Sequence, residues 1–371
     1  MKFVPGLALS EALFRTGVEP LLAQWAPGLP YAAGLIGPGS DVLGFDTERS
    51  TDHDWGPRLF LFLTPDDLPE WKERLGTLFS RDLPRVICGY PTGFAQTEEE
   101  GVVGLGDAAS VGPINHRVVV TSAETWLAEQ HGLSSLADLT PAEWITLSEQ
   151  RLLETTAGCI FHDDIGTITA IREALAWYPD DVWRYRLAAQ WKRLDQLEPF
   201  VGRTGEVGDD LGSQLVTMSL VRDAMKVAFL LERRYAPYPK WFGTAFGELD
   251  LAPALRPHLD AARTARTWPE REAAVYGAQR VLAERQNALG LAPWTDPASR
   301  AFWGRPFQVM FGGRFADALL ESITDPDVRA LPPYLGGIDQ YIDSTDALNN
   351  LPLHHAIRRW IADSDAMRLE S

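Results

Sequence analysis

The stretch YAAGLIGPGSDVLGFDTERSTDHDWGPRLFLFL, residues 31–63, decides the fold. Its first seven residues form a short apolar run, which is typical of a buried strand, and the run ends at the glycine-rich turn GPGSD. Residues 41–51 are polar and loop-like, and DHDWGPRLFLFL then predicts a second strand that starts with acids and continues with apolar residues. The polar groups are therefore concentrated around the turn and the start of the second strand.

The turn at Gly39 and Ser40 has the composition of an anion-binding site. Gly39 lets the backbone approach a phosphate closely, and Ser40 adds a hydroxyl donor. A following helical turn would point free amide groups at the anion. The glycines do not form a P-loop, because no Gly-Lys-Ser/Thr follows them. We expect Gly39 and Ser40 to bind the phosphates of a substrate.

Two acids, Asp52 and Asp54, are separated by one residue. On a strand, their side chains would project from the same face, with His53 on the other. Paired carboxylates suit Mg²⁺ (or Mn²⁺), which bridges protein acids to substrate phosphates and stabilises an in-line phosphoryl displacement. The alternative is a solvated strand edge or an Asx turn, since DHDWGP is rich in turn-forming residues. An EF-hand is excluded because its further ligands are missing at the required positions.

The spacing of these residues resembles the nucleotidyltransferase superfamily that includes DNA polymerase beta and the aminoglycoside nucleotidyltransferases. The signature residues are filled here by Gly39, Ser40, Gly44, Ser50, Asp52 and Asp54. The stretches STDHDWGPR (50–58) and YAPYPKWFGTAF (235–246) further resemble a bacterial family known as a domain of unknown function, number four thousand and thirty-seven. These resemblances imply an α+β chain: a small mixed-sheet nucleotidyltransferase-like domain followed by an α-helical bundle domain.

One feature departs from the superfamily, many of whose members carry a third carboxylate on a later strand. The corresponding predicted strand, HRVVVTS, contains no acid among its valines. Glu124 lies just beyond it, but TSAE is better explained as a helix capping box. His116 is a further candidate for a base or a metal ligand. The third ligand is therefore unassigned, and a nucleotide binder that has lost catalysis stays open as an alternative.

The rest of the chain is consistent with two domains, predicted at residues 1–135 and 136–371, since domains commonly run roughly 100–200 residues. Thr64 and Pro65 begin a predicted helix after the second strand. In the second domain, two sets of residues fall on single helical faces: Trp183, Leu187, Trp191 and Leu194, and Leu220, Ala224, Val227 and Leu231. We attribute the recurring tryptophans to packing rather than to base stacking.

Charge and composition restrict the partners. The net charge of -17 repels nucleic-acid backbones, so broad nucleic-acid binding is not expected, and a nucleotide site must supply metal ions and selected Lys or Arg groups. Cys88 and Cys159 are expected to be reduced thiols. Neither a signal peptide nor an apolar run of roughly 18 residues is recognisable, which predicts a cytoplasmic protein that does not contact a membrane.

In the second domain, Lys240 is the cation we expect to bind the triphosphate, because its proline and aromatic neighbours would fix its stem. Arg222 and Lys226 are four residues apart on a predicted helix and are more often solvated. The residues His162-Asp163-Asp164 are interpreted as a loop without chemistry.

These residues predict an enzyme that moves a nucleoside monophosphate from a nucleoside triphosphate to a hydroxyl of a small molecule, protein or RNA. The first alternative is a catalytically weak protein of the same fold that binds nucleotide or a partner. A glycosyltransferase is a weaker alternative, since an Asp-x-Asp pair also binds manganese and nucleotide sugars, but the Gly-Ser turn argues against it.

Overall fold

The computed structural model describes residues 2–52, 54–98 and 102–363, apart from the side chains of Asp52 and Asp138. The chain forms two compact units. The first comprises Met1–Asp138 and Arg151–Ala176, and the second comprises Leu139–Gln150 and Trp177–Ser371.

The strands are short, and most of them lie in the first unit. They are β1 (Tyr31–Leu35), β2 (Arg58–Leu63), β3 (Val86–Ile87), β4 (Tyr90–Pro91), β5 (Phe94–Gln96), β6 (Val103–Leu105), β7 (Arg117–Ser122), β8 (Cys159–Asp163), β9 (Arg300–Ala301) and β10 (Gln308–Val309).

The α-helices are α1 (Gly6–Leu13), α2 (Glu19–Trp25), α3 (Leu68–Asp82), α4 (Ala123–His131), α5 (Pro141–Thr146), α6 (Glu149–Thr156), α7 (Thr167–Ala174), α8 (Asp180–Leu197), α9 (Phe200–Glu206), α10 (Asp210–Leu231), α11 (Pro239–Phe246), α12 (Ala252–Thr264), α13 (Trp268–Leu289), α14 (Gly313–Glu321), α15 (Pro326–Ala330), α16 (Ile338–Tyr341), α17 (Thr345–Leu348) and α18 (Leu351–Asp363). A π-helical turn (Phe14–Val18) joins α1 to α2, and 3₁₀ turns occupy Glu48–Asp52 and Leu136–Asp138.

A four-stranded mixed sheet with the order β7-β2-β1-β8 organises the first unit. β2 runs parallel to β7, with Arg58 opposite Arg117, and antiparallel to β1. β8 completes the other edge, antiparallel to β1. Residues 151–176 belong to this unit because β8 pairs here, so the division differs from the predicted boundary after residue 135. The predicted α+β class with a small mixed sheet is confirmed.

The second predicted strand starts later than the sequence indicates. Asp52 ends a 3₁₀ turn and Asp54 has a left-handed φ of 49°, so the extended conformation begins only at Arg58. Gly56 is also in the left-handed region, with φ of 145°. The placement of Asp52 and Asp54 on one strand face was therefore wrong, because this turn-forming segment bends the chain before the strand begins.

Other local predictions shift by a few residues. The regular helix after β2 begins at Leu68, but Thr64 caps the turn that leads into it: its hydroxyl accepts from the Asp67 amide at 3.1 Å and donates to Asp67 Oδ2 at 2.7 Å. Ser122 is the N-cap of α4 and accepts from the Thr125 amide, which places the cap one residue after the predicted one. His162 and Asp163 lie on β8 rather than in a loop.

The second unit is mainly helical, as predicted. Both predicted helical faces are confirmed, since their eight residues are buried on α8 and α10. The Trp183 indole donates to the Leu230 carbonyl at 2.8 Å and the Trp191 indole to Gln286 Oε1 at 2.5 Å, which confirms packing as the role of these rings. Within the described residues, no helix is both long and apolar enough to cross a bilayer.

Candidate functional site

A pocket of about 340 Å³ opens in the first unit at the edge of the sheet where β1 ends and β2 and β7 begin. Its walls combine the glycine turn, charged side chains and apolar side chains. The lining residues are Leu35, Pro38, Gly39, Asp54, Arg58, Leu59, Phe60, Phe94, Arg117 and Val119. The pocket, which we call the sheet-edge pocket, brings together Gly39 and Asp54, two of the predicted site residues.

The Gly39 turn is held by a buried ion pair. Arg58 donates through Nη2 to Asp41 Oδ1 at 2.7 Å and to the Pro38 carbonyl at 2.8 Å. Gly39 has a φ of 141°, and a Cβ there would lie 2.2 Å from both Arg58 Nη2 and Asp41 Oδ1. Glycine is required because the Arg58–Asp41 pair packs directly against the backbone. The sequence predicted the glycine but not this reason for it.

The backbone after Gly39 forms a hydrogen-bonded turn over residues 40–44 rather than a helix. Leu43 N–H donates to the Gly39 carbonyl at 3.3 Å and Phe45 N–H to the Ser40 carbonyl at 2.8 Å. Among the residues that the structure describes, the amides of Gly39, Ser40 and Asp41 donate to no protein acceptor. Consecutive free amides are the groups from which anion-binding sites are built, and of these three residues Gly39 lines the pocket. The half-buried Ser40 side chain is not part of the pocket lining.

Asp54 presents an exposed carboxylate to the same pocket. Its amide donates to the Val103 carbonyl at 2.8 Å, which fixes the left-handed bend. Its side chain is 64% exposed, and Oδ1 lies 3.8 Å from Arg117 Nη2. At this distance the two side chains form a loose ion pair, and most of the carboxylate stays available to another cation.

The oxygen donors at the pocket are few. No group of three or more His, Cys, Asp or Glu side chains placed to hold an ion occurs within the described parts of the chain. Asp54 supplies one hard oxygen ligand, and the Asp52 side chain lies outside the description. Magnesium is commonly bound by one or two carboxylates together with substrate phosphates, so the set fits an ion shared with a phosphate rather than a closed protein cage.

Arg117 is a site residue that the sequence analysis missed. It starts β7 beside Arg58, extends over the Phe94 ring at 5.5 Å from its centroid, and is 42% exposed. The valines of HRVVVTS drew attention to a missing acid, whereas the charged residue that reaches the pocket is the arginine at the start of the strand. Its position next to Asp54 depends on the parallel pairing of β2 with β7, which no local pattern shows.

Val119 occupies the part of β7 that faces the pocket, and 44% of it is exposed. β7 therefore contributes a valine, and no acid, to this wall of the pocket. Glu124 does not replace it, since it lines a separate small cavity with Leu63 and Thr64. Leu63 is the last residue of β2, so this cavity lies about 15 Å along the strand from Arg58.

The structure gives His116 a structural role. Its Nε2 is 3.1 Å from the Gly76 carbonyl, and its Nδ1 accepts from the Val118 amide at 3.1 Å. Burial lowers its pKa, against a smaller raising effect of these backbone contacts. A neutral ring with both nitrogens engaged by the backbone is not available as a base or a metal ligand.

Lys240 lies in the second unit, at the start of α11. It is exposed, and its ammonium is 5.2 Å from the centroid of the adjacent Trp241 ring, within the range of a cation–π contact. Its binding to a triphosphate stays a prediction. Arg222 and Lys226, expected to be solvated, instead line a pocket in the second unit.

Residues 144–242 match the model of a family described as "Domain of unknown function (DUF4037)". The match confirms the predicted family resemblance over these residues, which include most of the stretch at 235–246 but not the one at 50–58. A solved structure of a nucleotidyltransferase-like protein from Exiguobacterium sibiricum is similar to 75% of this chain and 79% of its own, with 11% identity and a TM-score of 0.33. No curated protein matches the chain.

Proposed function

We propose that this chain is a metal-dependent nucleotidyltransferase that uses a nucleoside triphosphate and a hydroxyl acceptor. The observation that carries the proposal is that the Gly39 turn, the Asp54 carboxylate and the Arg117 guanidinium line one pocket. The acceptor oxygen bonds to the α-phosphorus, the bond from the α-phosphorus to pyrophosphate breaks, and the hydroxyl proton passes to solvent water. The acceptor class, a small molecule, protein or RNA, stays open.

The turn and Arg117 are suited to different parts of the triphosphate charge. The free amides of Gly39, Ser40 and Asp41 bind phosphate oxygens without adding a mobile group, so their dipoles need no reorganisation. Arg117, exposed and only loosely paired, moves readily from Asp54 to a phosphate. In a chain with a net charge of -17, this arginine is the local positive charge that an anionic substrate needs.

Asp54, with Asp52 two residues earlier, is proposed to hold magnesium against the phosphates. When bound, the ion would neutralise phosphate charge during displacement. Asp54 contributes an exposed carboxylate, and the hydrogen bond from its amide to Val103 already fixes its backbone. Little backbone entropy is therefore lost when the ion binds. Lys240 is proposed to contact the triphosphate from the second unit.

The decisive experiment is an activity assay on Asp54→Asn. Purified protein is mixed with magnesium and each α-labelled nucleoside triphosphate, together with cell extract as a source of acceptor. We expect label transfer and pyrophosphate release to fall at least about 100-fold in the variant, in line with the loss of one electrostatic group at a reacting phosphate. Asp52→Asn should behave similarly.

Asp66→Asn is the matched control, because Asp66 is an exposed acid after β2 that does not line the pocket. It should keep full activity. Transfer that survives in Asp54→Asn at the level of Asp66→Asn would refute the proposal.

Val119 favours a second candidate, a protein that binds nucleotide without turning it over. The exposed valine occupies the pocket wall where a further carboxylate would complete the acidic set. Magnesium-dependent nucleotide binding without pyrophosphate release would support this candidate. Val119→Asp then offers a gain-of-function test, since it adds the acid.

A further inference from the structure

The second unit contains a separate pocket of about 170 Å³. It lies between α10, the segment that leads into α11, and the segment around α16 and α17. We call it the helical-unit pocket. Its lining includes residues from each of these parts: Lys226, Leu230, Pro237, Phe242, Asp339 and Leu348. All lining residues belong to the second unit, so the pocket is a property of that unit.

Most of the wall is apolar. Leu230, Pro237 and Phe242 form one side, and Ile342 and Leu348 contribute on another. The volume is close to that of an engineered protein cavity of about 150 Å³ that binds benzene. A ligand that fills it has an apolar body of about the size of one six-membered ring.

The carboxylates beside the pocket are already occupied. Glu149 accepts from Arg186 Nη2 through one oxygen and from the Ala236 amide at 2.8 Å through the other. Asp339 Oδ2 accepts from the Glu149 amide at 3.0 Å and lies 3.7 Å from Arg186. Both oxygens of Glu149 and the Oδ2 of Asp339 are thus engaged by the fully buried arginine and by backbone amides, which leaves little of this charge for a cationic ligand.

Asp343 is engaged in the same way, since both of its oxygens accept from Arg222 Nη1, at 2.9 and 2.7 Å. The amide oxygens are engaged too: Gln190 Oε1 accepts from Gln340 Nε2 at 3.0 Å, and Gln340 Oε1 from the Gly337 amide at 2.6 Å. The acceptor capacity of this wall is therefore largely used within the protein.

The donors on this wall are less fully used, since the buried Nε of Arg222 has no partner among the described residues. Lys226 is the donor with the larger surplus. Its ammonium has three N–H groups, and within the described residues it donates one hydrogen bond, to the Asp339 carbonyl at 2.7 Å. Burial lowers its pKa, while Asp339, Asp223 and Glu149 raise it. A half-buried ammonium beside an apolar cavity has donors left for an anionic group.

We propose that the helical-unit pocket binds a small monocarboxylate whose body is a single ring or its aliphatic equivalent, with the carboxylate accepting from Lys226. The apolar wall binds the ring, and the ammonium supplies the charge-assisted hydrogen bond. A cationic ligand is disfavoured because the neighbouring acids are occupied. The site is distinct from the sheet-edge pocket and needs neither nucleotide nor magnesium.

Binding of benzoate and cyclohexanecarboxylate to the full chain, measured by calorimetry and by thermal shift, tests the proposal. Their neutral amides, benzamide and cyclohexanecarboxamide, report the contribution of the ring without the charge. We expect at least one carboxylate to bind the unmodified protein about tenfold more tightly than its amide. Lys226→Met should abolish that preference while leaving the binding of the amide unchanged.

Lys72→Met is the matched control, because Lys72 is an exposed lysine on α3 of the first unit. It should bind the carboxylates as the unmodified protein does. If Lys226→Met does not fold, Leu348→Trp fills the pocket from its half-buried rim and should remove binding of both the carboxylate and the amide. Carboxylates that bind no better than amides, or that bind equally well to the variant tested, would overturn the proposal.

Discussion

Arg117 combines three contacts that explain its conformation at the pocket. The backbone is fixed on β7 opposite Arg58, the guanidinium lies over Phe94, and the charge is loosely balanced by Asp54. An exposed pair of this kind contributes little to stability, so its loss should cost little free energy of unfolding. Its retained freedom suits a residue that changes partner when a substrate arrives.

We expect Arg117→Met to raise the KM for the nucleoside triphosphate about tenfold, since one charge-assisted contact to phosphate is lost, with little change in Tm. Initial-rate kinetics and thermal unfolding measure the two quantities. Arg74→Met is the control, because Arg74 is an exposed arginine on α3 paired with Glu70. An unchanged KM in Arg117→Met would remove Arg117 from the substrate site.

At the scale of elements, Glu198 joins the end of α8 to neighbouring segments of the second unit. This buried carboxylate accepts from the Met310 amide at 2.9 Å, the Gly312 amide at 3.1 Å and Gln279 Nε2 at 3.2 Å. Burial raises its pKa to about 7, and the backbone hydrogen bonds only partly oppose the shift. Burial therefore destabilises the ionised carboxylate relative to the protonated form, although its oxygens accept hydrogen bonds.

This raised pKa predicts a pH dependence of stability. Between about pH 4.5 and 7 the folded state binds the proton more tightly than the unfolded state, so the contribution of Glu198 falls as the pH rises, by up to about 3 kcal/mol. Chemical unfolding of Glu198→Gln across this range should therefore show a flatter profile than that of the unmodified protein.

Glu206→Gln, an exposed acid on α9, serves as the comparison and should keep the original profile. The quantity to compare is the difference in free energy of unfolding between the unmodified protein and Glu198→Gln, plotted against pH. A loss of stability that is the same at every pH does not change the slope of that plot. Parallel profiles for all three proteins would show that folding does not raise the pKa of Glu198.

At the scale of the whole molecule, the chain leaves its first unit at residue 138 and returns to it at residue 151. The returning segment provides β8, which pairs with β1, and Phe161, which belongs to the core of the unit. The Gly37 amide, in the turn after β1, donates to the Glu154 carbonyl of the same segment at 2.8 Å. The turn that leads to Gly39 is therefore held by residues more than a hundred positions away.

This arrangement predicts which fragments fold. A fragment of residues 1–176 should be monomeric in size-exclusion chromatography and give dispersed amide resonances. A fragment of residues 1–135, which ends at the boundary predicted from the sequence, should aggregate because the edge of β1 and part of the core are exposed. The fragment 1–150 controls for length, since it adds chain without β8 and should also aggregate. A well-folded 1–135 fragment would show that β8 is dispensable.

Periodicity predicted the helical character of the second unit and two of its buried helical faces. The residues of α8 and α10 recur at helical spacing, and burial of one face follows directly from that spacing, so both cores were predictable. The glycine turn and the acids near it were also recognisable, because glycine and aspartate have narrow physical uses. The prediction that these acids lie on a strand was wrong, because turn-forming residues compete locally with the extended conformation.

By itself, the sequence determined the class of the fold, the helical cores and the residues around the phosphate-suited turn. Tertiary structure decided that Arg117 stands beside Asp54, that Val119 faces the same pocket, and that β8 completes the sheet. The reason is that local patterns record the preferences of neighbouring residues, whereas strand pairing joins distant segments. Their register follows from burying the whole core at once.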